Sequence, residues 1–90
     1  KKWPEFLKEI SRNNTPLGIG MRLSLPEKIK NNKLVISFPP DSEFLYGRTL
    51  ERAEDIKIIE NTLYVFFLEK IRVSLKLLTM EEKIKKDFEL

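Results

Sequence analysis

The chain contains 90 residues, of which 17 are Lys or Arg and 14 are Asp or Glu, so its formal net charge is +3. A chain of this length forms one small domain that buries roughly 60 to 65% of the surface exposed in its unfolded state. Cys is absent and the longest wholly apolar run is Val65-Phe66-Phe67-Leu68, which excludes a disulfide framework, thiolate metal sites and a membrane span of ~18 apolar residues. We therefore expect a cytoplasmic location, and because the chain begins with Lys1-Lys2 we expect it to be a piece of a longer polypeptide.

The first predicted element is a helix that begins near Trp3. Trp3, Phe6, Leu7 and Ile10 recur at i, i+3, i+4 and i+7, which is the spacing of one helical face. Asn13-Asn14 can end this helix. An aromatic pair at helical spacing is typical of a core, so Trp3 and Phe6 are predicted core residues.

A short second helix is predicted after Thr15-Pro16, which combines a capping residue with a Pro suited to the first turn. The segment Gly18-Ile19-Gly20 has neither the preceding strand nor the Lys of a phosphate-binding loop. We therefore expect these glycines to allow close helix packing.

A β-hairpin follows, because residues 26–30 and 33–38 are separated by Asn31-Asn32. Two consecutive Asn residues tolerate the positive φ angles that a two-residue turn requires. From Leu34 to Phe38, every second side chain is predicted to face the core.

Two further helices are predicted after Pro39-Pro40, which cannot continue a strand. The apolar residues between positions 44 and 50 suit a third helix of uncertain end. Ile59, Leu63 and Phe66 recur on one helical face and predict a fourth helix, although the sequence around them is also β-prone.

The last predicted strand begins at Ile71, where the apolar period changes to two, and runs to about Leu78. Thr79 and Glu82 then have the spacing of a helix capping box. We predict a single domain over residues 1–78 and a charged C-terminal tail over residues 79–90.

Together these elements predict an α+β fold with a small three-stranded mixed sheet and helices packed on one face. Without the short second helix, the order α-β-β-α-α-β resembles the type II KH fold. In KH domains a GxxG loop between two helices clamps a nucleic-acid backbone. The corresponding segment here, Gly47 to Asp55, has no second Gly at that spacing and contains several acidic residues. We therefore expect a KH-like fold without the KH function.

Several segments, taken in order, resemble a more specific family. They are Trp3-Pro4-Glu5-Phe6-Leu7, Pro16-Leu17, the hairpin around Asn31-Asn32, Leu34-Val35-Ile36-Ser37-Phe38-Pro39, Ser42-Glu43-Phe44 and a long helix leading into Arg72-Val73. Over residues 3–78 the chain resembles the C-terminal domain of the tau/gamma subunit of bacterial DNA polymerase III. Members of that family often have a Leu-Gly turn before the last strand, whereas this chain has Leu68-Glu69-Lys70. The resemblance implies a non-catalytic module, appended to an ATPase clamp-loader core, that tethers the polymerase catalytic subunit or organises other replisome proteins.

The charge is unevenly distributed along the chain. Residues 1–40 carry eight Lys or Arg and three Asp or Glu, giving +5, and residues 41–69 carry three and seven, giving −4. Residues 70–90 carry six and four, giving +2. An attraction for nucleic acid would therefore come from the first forty residues or from the tail, while the middle would repel phosphate.

The leading hypothesis is a protein-interaction domain in which the tail residues Ile84, Phe88 and Leu90 bind the partner. Ile84 and Phe88 are four residues apart and can share one side of an induced helix. The same spacing equally fits a tail that only covers an apolar patch of its own domain.

The alternative hypothesis is a KH-like module that binds single-stranded nucleic acid through Lys28, Lys30 and Lys33, together with Lys1 and Lys2. These lysines are clustered, but aromatic residues for base stacking are not interleaved with them. Charge placement therefore favours the protein-interaction hypothesis.

Catalysis has little support in the residue types. The carboxylates lack the pocket that hydrolytic pairs need, and those of the tail lack the fixed spacing of a cation-binding loop. We therefore expect no catalytic residue, cofactor, metal, small-molecule substrate or membrane partner for this domain.

Overall fold

The chain folds into a mixed three-stranded sheet and five α-helices. The structure is a computed structural model that describes residues 2–88. The helices are α1 (Lys2–Asn13), α2 (Thr15–Gly20), α3 (Glu43–Glu51), α4 (Ala53–Phe67) and α5 (Met80–Phe88). The strands are β1 (Leu25–Lys30), β2 (Lys33–Phe38) and β3 (Arg72–Leu77), and a 3-10 turn, Pro40–Ser42, precedes α3. The predicted α+β class with a small mixed sheet is confirmed.

The central strand of the sheet is β2. β1 pairs with it in antiparallel orientation. The turn that connects the two strands consists of Asn31 and Asn32, whose φ angles are 55° and 59°. Because Asn tolerates positive φ better than most residues, this pair suits the turn, and the predicted hairpin is confirmed. β3 pairs with β2 in parallel, and α3 and α4 form the crossover connection that a parallel pair requires.

One face of the sheet forms the core with α1 to α4. Leu34, Ile36 and Phe38 of β2 are buried in this core, as their alternation predicts. α3 contributes Tyr46, whose ring lies edge-to-face with that of Phe38 at a centroid distance of 5.9 Å. The other buried apolar residues of the cluster are Phe6, Ile10, Leu17, Met21, Ile59, Leu63 and Ile71.

The aromatic pair predicted in α1 belongs to this core. Phe6 is buried, and the ring of the half-buried Trp3 stacks on it at a centroid distance of 4.8 Å. The Nε1–H group of Trp3 donates to the carbonyl oxygen of Ser24 at 3.0 Å. Gly18 allows α2 to approach α1 closely, because a Cβ at this position would overlap the side chain and Cα of Ser11. The close helix packing predicted for the glycine segment is therefore confirmed at Gly18.

Helix α5 lies on the second face of the sheet, opposite to the other helices. Lys76 is in register with Ser37, and both alternate with core-facing residues, so their side chains point to the second face. α5 meets this face at Lys76, whose Nζ lies 2.9 Å from Oε2 of Glu82. The predicted packing of helices on one face therefore describes α1 to α4 and not α5. The alternation of β3 explains the difference, because it places a Lys on the second face within reach of the first turn of α5.

Candidate protein-interaction site

The candidate site is built on α5, which begins with the capping box predicted from Thr79 and Glu82. The backbone N–H of Thr79 donates to Oε1 of Glu82 at 2.9 Å, and the backbone N–H of Glu82 donates to Oγ1 of Thr79 at 3.1 Å. This reciprocal pair satisfies two backbone donors that a helix start otherwise leaves unpaired. Lys83 and Asp87, four residues apart, add an ion pair of 3.0 Å along the helix. Local interactions therefore specify α5 without help from a core.

The side of α5 that meets the sheet is polar. Besides the Lys76–Glu82 pair, Nζ of Lys86 lies 2.9 Å from Oε1 of Glu27 in β1. The hydrogen bond from Lys76, followed by the backbone hydrogen bond from Thr79, lowers the pKa of Glu82 from 4.5 to about 2. Burial alone would raise the pKa of Glu27, but the hydrogen bonds from Lys86 and Ser37 and the charges of Lys86 and Lys76 together outweigh it, and the pKa is lowered. Both carboxylates are therefore charged at neutral pH and hold α5 by ion pairs.

The opposite side of α5 carries an exposed apolar stripe, which consists of Met80, Ile84 and Phe88. These side chains are 61%, 49% and 87% exposed. With 3.6 residues per turn, positions 80, 84 and 88 lie within about a quarter turn of one another, whereas positions 82 and 86 lie on the other side of the helix. A surface helix normally buries its apolar side. α5 does the reverse and presents its apolar stripe to solvent.

Two of the three predicted tail residues lie on this stripe. Ile84 and Phe88 share one side of α5, as their spacing predicts. Leu90 lies outside the described residues. Met80, which was not among the predicted site residues, completes the stripe, and the signal for it was the same four-residue spacing that links Ile84 to Phe88.

A groove of about 220 Å³ separates part of α5 from the second face of the sheet. Leu25 and Leu78 contribute to its apolar wall, and Lys83 and Lys86 border it from α5. No residue of α5 is buried. Because surface ion pairs stabilise weakly, α5 is attached to the domain far less firmly than α1 to α4.

The three lysines of the nucleic-acid hypothesis also come together in the structure. Lys28, Lys30 and Lys33 are exposed and line one shallow groove with Asn31 and Val35 at the tip of the hairpin. The fold therefore produces a basic cluster from residues that lie on two strands. Of the two N-terminal lysines in that hypothesis, Lys2 is the first residue of α1, and Lys1 lies outside the described residues.

The helix junction that would carry a KH clamp has a different geometry. Only Arg52 separates α3 from α4, and its φ and ψ angles are −102° and 96°. Gly47 lies inside α3 rather than in a loop. Residues 43–67 therefore contain neither a GxxG sequence nor a loop long enough to wrap around a nucleic-acid backbone.

Within residues 2–88, no cluster of three or more His, Cys, Asp or Glu side chains could hold a metal ion. No helix in the same range combines the length and the apolar character needed to cross a bilayer. Comparisons with protein-family models, with curated proteins and with solved structures found no match to this chain.

Proposed function

We propose that this domain is a non-catalytic protein-interaction module of the kind found at the C-terminus of the tau/gamma subunit of bacterial DNA polymerase III. In this proposal it is cytoplasmic, has no cofactor, and tethers the polymerase catalytic subunit or organises other replisome proteins. The observation that carries the proposal is the orientation of α5, whose apolar stripe of Met80, Ile84 and Phe88 points to solvent.

A preformed helix with an apolar stripe suits recognition by a partner groove. Each apolar side chain that a partner fully buries stabilises the complex by roughly 1.5 to 3 kcal/mol. The capping box and the ion pairs already order α5, so part of the conformational entropy cost of binding is removed in advance. Recognition of an amphipathic helix in a groove uses anchors at i and i+4, which is the spacing of Ile84 and Phe88.

A type II KH-like fold is part of this proposal. It is supported by the order α1-β1-β2-α3-α4-β3, with α2 as a short addition, and by the two-helix crossover between the parallel strands β2 and β3. The one-residue junction at Arg52 fits a fold that keeps this order but does not use the KH clamp.

Substitution of the stripe tests the proposal. A variant with Ile84→Ser and Phe88→Ser should bind the polymerase catalytic subunit at least about tenfold more weakly than the parent chain, because two apolar anchors lose most of their buried area. Surface plasmon resonance with the full chain measures this change. The far-ultraviolet circular dichroism of the variant should stay close to that of the parent, because neither side chain is buried in the free domain.

A matched control uses the exposed apolar residues of α3. Phe44 and Leu50 are 76% and 52% exposed, so a variant with Phe44→Ser and Leu50→Ser removes similar side chains from a different surface. We expect this control to bind like the parent. Equal loss in both variants, or no loss in the α5 variant, would contradict the assignment of the stripe.

Binding of single-stranded nucleic acid is the second candidate function, and the convergence of Lys28, Lys30 and Lys33 favours it. We nevertheless predict weak binding or none. The junction between α3 and α4 has no clamp, and the −4 charge of residues 41–69 opposes the electrostatic attraction that dominates such binding. Fluorescence anisotropy with a labelled oligonucleotide at physiological salt measures it. A Kd of roughly micromolar or better, rising steeply with added salt, would favour the second function.

A further inference from the structure

Three cations form one row across the second face of the sheet. The pairing of β1 with β2 places Lys30 opposite Lys33, and the pairing of β2 with β3 places Lys33 opposite Arg72. Directly paired residues project to the same face, and neighbouring strands are about 4.8 Å apart, so the three side chains leave the sheet within roughly 10 Å of one another. We call Lys30, Lys33 and Arg72 the cation row. Lys28 borders the same groove as Lys30 and Lys33.

The cation row has no ionic partner among residues 2–88. Glu27 and Glu82 are paired with Lys86 and Lys76 at the end of the face that α5 covers. Glu60 of α4 borders the groove beside Lys33 and Arg72, but its Oε2 accepts from the backbone N–H of Val73 at 2.9 Å. Like charges placed directly opposite each other on neighbouring strands destabilise a sheet. An anionic group that binds the row would relieve this repulsion.

We propose that the cation row is a docking site for a short acidic polypeptide segment of a partner protein. The proposal deepens the protein-interaction function and rests on it. An extended segment with Asp or Glu at alternate positions presents carboxylates every ~6.7 Å along one side, a spacing that long Lys and Arg side chains can match. Val35 and Ser74, in register beside the row, leave its floor free of charge.

Two observations favour an acidic peptide over nucleic acid. No strand residue of the second face has an aromatic side chain on which bases could stack, from the cation row at one end to Leu25, Ser37 and Lys76 at the other. The acidic region of residues 41–69 repels a long polyanion that continues beyond the row. A short peptide ends within the row, and screening over about 8 Å at physiological salt shields it from that region.

The test uses the full 90-residue chain and a labelled five-residue peptide, Glu-Ser-Glu-Ser-Glu, whose outer carboxylates are about 13 Å apart when it is extended. Binding is measured by fluorescence anisotropy at about 50 mM salt, where charge interactions are weakly screened. A variant with Lys30→Glu, Lys33→Glu and Arg72→Glu should lose at least about tenfold in affinity. The control variant, with Lys8→Glu, Arg22→Glu and Lys57→Glu, has the same net charge but changes exposed residues on α1, just after α2 and on α4, and should lose less than about threefold.

Charge reversal could disturb the sheet itself, so a neutral variant with Gln at the three row positions serves as a second test. This variant should also bind the peptide more weakly than the parent chain. Equal losses in the row and control variants would overturn the proposal, because net charge alone would then explain binding. Tighter binding of a single-stranded or duplex oligonucleotide than of the peptide, dependent on the same three residues, would overturn it in favour of nucleic acid.

The outcome is separable from that of the proposed function. The peptide experiment contains no polymerase subunit, and the α5 variant keeps the cation row intact. Peptide binding lost only in the row variants supports this docking site whether or not α5 binds the polymerase. Failure of the α5 test with normal peptide binding would count against the polymerase assignment alone.

Discussion

At the scale of single residues, the end of α4 carries a conformation that its sequence does not favour. Leu68 follows the helix with φ 58° and ψ 28°, and its N–H donates to the carbonyl oxygen of Tyr64 at 2.7 Å. A left-handed residue at this position is usually Gly, because a Cβ costs roughly 1 to 2 kcal/mol there. Here a non-Gly residue adopts the left-handed conformation.

Replacement of this residue by glycine is predicted to stabilise the domain. Leu68→Gly removes the strain of a Cβ at positive φ, but it also raises the conformational entropy of the unfolded chain. The net gain in unfolding free energy should therefore be about 0.5 to 1 kcal/mol. Little packing is lost, because Leu68 is 77% exposed. Urea denaturation measures the change. The control Val65→Gly, at a 67% exposed position inside α4, should lose a few tenths to about 1 kcal/mol, and a loss at Leu68 as well would contradict the backbone argument.

At the scale of elements, the spacing of the apolar residues in α4 correctly predicted that this helix packs in the core. Ile59 and Leu63 recur on one face and are 0% and 1% exposed. Phe66 continues that face, and its ring lies edge-to-face with Phe6 at 5.8 Å. Phe67, which lies off this face, is 42% exposed. The helical period therefore overrode the β-prone composition of the same segment.

Truncation of Leu63 should be costly. Leu63→Ala is predicted to lower the unfolding free energy by about 2 to 5 kcal/mol, because it leaves a cavity in a core that a small domain cannot easily rearrange. Chemical denaturation monitored through Trp3 measures it. Val65→Ala, two residues away and exposed, should change stability by less than about 0.5 kcal/mol. A Leu63 variant as stable as the parent would mean that this side chain does not support the core.

The attachment of α5 should depend on pH. The folded pKa of Glu82 is about 2 against an ordinary 4.5, and the pKa of Glu27 is also lowered. A lowered carboxyl pKa stabilises the folded state above the ordinary value and loses that contribution as pH falls toward the folded value. The amide protection factors of α5 should therefore decrease between about pH 4.5 and pH 2 while those of α4 persist.

The variant Glu82→Gln tests the cause of this dependence. Gln at this position of the capping box can still accept a backbone hydrogen bond, but it cannot form the ion pair with Lys76. Protection in α5 should then be lower at neutral pH and should change less on acidification. Equal protection in the parent chain at pH 7 and near pH 2 would show that the ion pairs do not hold α5.

Local pattern predicted more of this fold than of its surfaces. The Asn31-Asn32 turn and the alternation of β2 are local, and the structure confirms both. The position of α5 depends on the register that brings Lys76 and Glu27 to one face, which sequence spacing does not reveal. The cation row was missed for the same reason, because Arg72 joins the hairpin lysines only through the parallel pairing of β2 with β3.

At the scale of the whole molecule, the excess positive charge of the second face is concentrated at its hairpin end. The cation row lies there, whereas the acidic segment 41–69 forms the 3-10 turn, α3, α4 and the residues that follow α4, and α1 on the core side carries Lys2, Lys8 and Arg12. The cation row therefore attracts an acidic partner to its own end of the second face, which orients the encounter. The apolar stripe of α5 lies on the same side as the cation row. The two surfaces could therefore engage one partner in succession, with charge guiding approach and apolar contact stabilising the complex.

Deletion of residues 79–90 is the test that joins these scales. No residue of α5 is buried and its links to the sheet are ion pairs, so the truncated domain should melt within about 5 °C of the parent chain. Its affinity for the polymerase catalytic subunit should fall at least about tenfold, because the apolar stripe is gone. A shorter deletion of residues 89–90 isolates the contribution of Leu90. If the longer truncation melts much earlier, α5 is a structural cover for the groove beside Leu25; if it binds the polymerase equally well, the contact lies on the globular body.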